Sequence, residues 1–78
     1  MKKEWTINSD EVIHTVKYRR NIFGIAHVQI DGDEFPLGHV SAFKERREAF
    51  RVGDSQCILS MKGGRAEVIS NDCEVSLV

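Results

Sequence analysis

Three histidines, two cysteines and a run of closely spaced carboxylates are the residues of this 78-residue chain whose types could do chemistry. Metal ligation needs ligands brought together, most simply by Cys-x-x-Cys or His-x-x-x-His spacing. His14, His27, His39, Cys57 and Cys73 offer neither spacing. Asp31, Asp33 and Glu34 lie close together but lack the longer loop that wraps a hard cation. Asp31-Gly32 instead has the chemistry of a tight hairpin turn. Ser9, Ser41, Ser55, Ser60, Ser70 and Ser76 fall in turns or at outward strand positions, and none occupies a Gly-x-Ser-x-Gly elbow. Gly63-Gly64 precedes no helix that could cradle a phosphate. The expectation is a non-enzymatic protein with no catalytic residues, no metal site and no cofactor.

Basic residues form the other chemical signal. Lys17, Arg19 and Arg20 end one segment, and Lys44, Arg46, Arg47 and Arg51 follow later. If Lys17, Arg19, Arg46, Arg47 and Arg51 met on one face, with Tyr18 and Phe23 nearby, they would form a groove for single-stranded nucleic acid. Glu45, Glu48 and Asp54 interleave with these cations, which favours an ordinary solvated face. Net charge is -1, so no global field toward nucleic acid or an anionic membrane is expected. No apolar run reads as a signal peptide or a membrane span, and a cytoplasmic protein without membrane contact is expected. In that compartment Cys57 and Cys73 are expected as reduced thiols.

The elements that must position these residues are strands. Turn residues at Asp31-Gly32-Asp33, Gly53-Asp54-Ser55, Lys62-Gly63-Gly64-Arg65 and Asn71-Asp72 separate short runs with apolar residues at every second position. The alternation predicts an all-β, antiparallel β-sandwich of seven to eight short strands connected as a meander, with a small barrel as the alternative. One domain spans residues 1–78. Trp5, Val16, Val28, Phe50 and Leu59 are placed in its interior. His14 is read as facing inward and His27 outward. Pro36 lacks an amide proton, so its strand is expected to lie at an edge or to have its other side toward solvent. Gly38 to Glu48 is ambiguous. Its propensities suit a helical turn, but Ala42 and Phe43 alone make a poor apolar face. A short strand from His39 to Phe43, then a charged turn at Lys44 to Arg46, is the reading preferred.

With this layout the chain resembles the β-sandwich half of the Fas apoptotic inhibitory molecule family. The resembling residues are His14-x-Val16-x-Tyr18, Gly24, the Val28 to Gly32 hairpin, Phe43, Arg47 to Gly53 and Cys57 to Met61. The resemblance covers about residues 12 to 75 and implies a compact sandwich without enzymatic activity that works through protein contacts. The residues themselves add a reason of their own. Ile13, Ile22, Phe23, Ile25 and Val78 are apolar yet fall outside or in turns. A protein partner or a homo-oligomer is therefore expected. Ile13, Phe23 and Ile25 are the expected contacts, with Arg19 and Arg20 at the rim.

Overall fold

The computed structural model describes residues 1–78 as eight strands without a helix. These are β1 (Lys2–Ser9), β2 (Val12–Arg20), β3 (Ile25–Ile30), β4 (Asp33–His39), β5 (Arg46–Val52), β6 (Ser55–Lys62), β7 (Arg65–Ile69) and β8 (Glu74–Leu77). They form a five-stranded sheet in the order β4-β3-β2-β1-β8 and a three-stranded sheet in the order β5-β6-β7. All pairings are antiparallel. The sheets do not close into a barrel. The chain is not a simple meander either, because β8 returns to the first sheet and pairs with β1 rather than with β7. Cys57 lies in β6, whereas Cys73 lies in the connection from β7 to β8 rather than in a strand neighbouring it.

Alternation decides what is buried. Trp5 pairs with Val16, and Tyr18 with Val28, so their side chains share the inner face of the larger sheet. Cys57, Leu59 and Met61 line the inner face of β6. Together with Ile7, Ala26, Val40, Val52, Ala66 and Val68 they make one dry core between the layers. Phe50 and Ile30 are half-buried at its margin. Polar ties pin the layers at both ends. Lys3 Nζ donates to the Ala66 carbonyl at 3.2 Å, and the buried Ser9 and Ser55 hydroxyls bond to each other at 2.6 Å.

Residues 39 to 48 differ from the sequence reading. β4 runs on to His39, residues 40–45 cross between the layers, and Arg46 opens β5. The expected turn at Lys44 to Arg46 therefore lies partly inside a strand. The crossing is fixed by Val40, which is buried and donates its N–H to the Gly24 carbonyl at 2.8 Å. Phe43 then points away from both layers and is 96% exposed. Gly24 makes the close approach possible: it has φ of 82°, and a Cβ there would lie 2.9 Å from His39 Nε2.

The connections sort by charge. At one end lie the turns at 10–11, 31–32, 53–54 and 70–73. Each contains at least one acid and none contains Lys or Arg. At the other end, strands enter and leave through Lys2, Arg19, Arg20, Arg46, Arg47, Lys62 and Arg65. The small net charge conceals this separation: the chain as a whole is near neutral, while its two ends differ in sign.

The turn at Asp10-Glu11 carries local strain. Both residues are left-handed, with φ of 51° and 66°. A glutamate there has no glycine-like freedom. Glu11→Gly should stabilise the protein by about 1 kcal/mol, raising the melting temperature by about 4–8 °C. An unchanged or lower melting temperature would show that the turn is not strained.

Candidate functional site

Five strands cannot be covered by three, and the uncovered part forms a concavity. β4 is an edge of the larger sheet and β5 an edge of the smaller one. Phe35 pairs with the buried Val28 and so faces inward, yet it is 48% exposed because no strand lies opposite it. An open cleft of about 580 Å³ runs between these edges. Its apolar lining includes Val28, Ile30, Phe35, Leu37, Phe50 and Leu59. β5 pairs only with β6, so its other backbone edge is free. At one end of the cleft Arg46 Nη1 donates to the Leu37 carbonyl at 2.6 Å, and Arg46 Nε donates to Glu48 Oε1 at 2.8 Å. This clamp ties β5 to β4. Burial pushes the nearby Tyr18 hydroxyl above its ordinary pKa, although the Arg20 and Arg46 charges pull it down.

The residues expected to contact a partner do not form one patch. Phe23, Ile25, Arg19 and Arg20 gather at the basic end. Ile13 lies six positions from Arg19 along β2, about 20 Å away, and 60% exposed on the outer face. Arg19 donates to Glu34 Oε1 at 2.7 Å. Arg20 turns inward, and its Nε is buried without a partner.

The five cations of the nucleic-acid alternative are divided as well. Lys17 and Arg19 lie on the outer face of the five-stranded sheet, Arg47 and Arg51 on the outer face of the three-stranded sheet. These faces point in opposite directions. Arg46 is committed to the clamp. No single groove assembles from them. Alternation within one strand is legible in a sequence, but the layer to which a strand belongs is not.

The acidic end holds the only arrangement that resembles catalytic machinery. His14 Nδ1 bonds to Asp31 Oδ2 at 2.5 Å, and Asp31 Oδ1 accepts the Thr15 N–H at 2.9 Å. Asp31 thus orients the His14 ring as an orienting carboxylate would. Ser9 is the hydroxyl in that region, but it is buried and bonded to Ser55, with no hydrogen bond to His14. No group is set up as a nucleophile. The thiols are quiet too. Burial raises the Cys57 pKa, with a hydrogen bond to Ser70 pulling it down and neighbouring Cys73 pushing it up. Cys73 Sγ lies 3.1 Å from Ser70 Oγ, and both cysteines are free. No group of three or more His, Cys, Asp or Glu side chains converges as metal ligands.

Asp31 makes the acid limb of stability testable. Burial tends to raise its pKa, but the hydrogen bonds from His14 and Thr15 and the His14 charge outweigh this and hold it below the ordinary 3.8. A depressed folded pKa contributes stability that is present above the unfolded value and is lost as pH falls through the folded one. Asp31→Asn should therefore be less stable near neutrality, and its stability should vary less with pH below 3.8. Denaturant midpoints across that range test this; parallel curves for the two proteins would contradict it.

The chain matches no protein-family model, and neither a curated protein nor a solved structure matches it significantly.

Proposed function

We propose that this protein is a non-enzymatic binding module that takes an extended segment of a partner protein into the cleft between β4 and β5. The segment adds a strand to the free edge of β5. The observation that carries this reading is the uncovered inner face of β4, where Phe35 and Leu37 face a cleft rather than an opposing layer. Strand addition supplies backbone hydrogen bonds along an open edge, and alternate side chains reach pockets below. The resemblance to the Fas apoptotic inhibitory molecule family implies work through protein contacts and points the same way.

β5 also favours one chemistry of partner. Phe50 faces the cleft, whereas Arg47 and Arg51 face outward. Antiparallel self-pairing about Ala49 would set Arg47 opposite the second copy's Arg51, and like charges directly opposed are destabilising. A segment alternating apolar and acidic residues instead places apolar groups against Phe35, Leu37 and Phe50, and carboxylates beside the arginines.

A short labelled peptide alternating valine with glutamate should bind, as read by fluorescence anisotropy, and its valine–lysine counterpart should not. Phe35→Asp should weaken binding by about tenfold or more, a loss of at least about 1.4 kcal/mol. Equal binding of the two peptides, or indifference to Phe35→Asp, would remove the proposal.

A further inference from the structure

The basic end of the sandwich is a second surface, separate from the cleft. Ile22, Phe23 and Phe43 are 93%, 75% and 96% exposed there. Isolated exposed apolar residues are ordinary, but three large ones on adjoining tips are not. The tips adjoin because the Val40 N–H bonds to the Gly24 carbonyl. Local hydrogen bonds hold the tips outward. Asn21 Oδ1 accepts the N–H groups of Phe23 and Ile25 at 2.9 and 3.0 Å, and Ser41 Oγ accepts that of Phe43 at 3.1 Å.

Cations surround these tips. Lys2, Lys44, Lys62 and Arg65 sit at the same end, and none is in a salt bridge; the one carboxylate of the 40–45 connection, Glu45, is taken by Arg47. The acidic turns are at the far end. β6, which joins the two ends, has 8 residues, so the poles lie about 26 Å apart. The screening length at physiological ionic strength is only about 8 Å. A partner at the basic end therefore meets positive charge around an apolar centre, not the net charge of -1.

We propose that this end docks on an anionic lipid bilayer. Ile22, Phe23 and Phe43 enter the boundary between headgroups and acyl chains, and the flanking lysines and arginines contact lipid phosphates. A bilayer fits better than the alternatives on shape and chemistry. The apolar groups are convex tips on two loops, which suit a surface that yields around them. The field of the surrounding cations matches an anionic leaflet. Nucleic acid would use aromatic faces for stacking, and Ile22, the outermost residue of its loop, has none.

Flotation with vesicles tests this at physiological ionic strength. The protein should float with phosphatidylcholine–phosphatidylserine vesicles and not with phosphatidylcholine alone. Ile22→Asp with Phe43→Asp should reduce the bound fraction about tenfold or more, and Lys44→Glu with Lys62→Glu should do the same. All four positions are exposed, and near-ultraviolet circular dichroism of the buried Trp5 checks that each variant is folded. Phe35→Asp in the cleft should leave vesicle binding unchanged, so this proposal and the peptide-binding one can fail separately. No flotation, equal flotation with both vesicles, or wild-type flotation of both variants overturns the proposal. So does binding of a single-stranded oligonucleotide without vesicle binding.

Discussion

The fold depends on one dry interface between two sheets of unequal width. A chain this short has few side chains to spend on a core, and thirteen buried apolar residues supply it. Those residues come from both layers, so neither sheet buries its face alone. With five strands facing three, the middle of the larger sheet is sealed and its margins are not. The same constraint that concentrates Ile7, Val16, Tyr18 and Leu59 in a closed centre leaves Phe35 and Leu77 facing inward with nothing opposite them. The cleft is the unsealed margin of the core.

Turn chemistry then gives the molecule its electrical shape. Tight reversals call for residues that tolerate left-handed backbone or bond to their own chain; Gly does the first, and Asp and Asn do both. At the end with the 10–11, 31–32 and 53–54 turns, this demand places Asp10, Asp31 and Asp54 together. Asp31 also accepts bonds from Thr15 and His14, so its charge is part of the fold rather than a surface accident. The other end has two wider connections, 21–24 and 40–45. They are shaped by Asn21 and Ser41 side-chain bonds and by the Gly24 approach to His39, which leave their apolar tips outside. A near-neutral chain thereby acquires an acidic pole and a basic one.

Much of this was legible beforehand. Period-two alternation marked Trp5, Val16, Val28 and Leu59 as interior, because a strand must present successive side chains to opposite faces. Pro36 marked an edge strand, and β4 is one. The same local logic failed where no local rule applies. Residues 39–43 alternate well enough to suggest a strand, but the chain must leave one layer for the other there. Val40 is held by Gly24, 16 positions away in sequence, a partner that no window of neighbours reveals. The candidate contacts show the same divide. Phe23, Ile25 and Arg19 face outward near one end, as their positions in the sequence suggest, whereas Arg20 turns inward and Ile13 lies at the far end of β2. Phe50 is placed inside by alternation and does face inward, but it is only half-buried, because the depth of cover depends on the opposite layer.

By itself the amino-acid sequence determined the strands, their inner and outer faces and the sharp turns between them. Each of these follows from interactions within a few residues: steric limits on the backbone, side-chain alternation and turn-forming groups. Only the tertiary structure decided that β8 lies beside β1, that the layers hold five strands and three, and that the scattered charges collect at opposite ends. Those outcomes depend on which distant strands pair and which side chains meet across the core, so both the cleft and the two poles come from long-range packing.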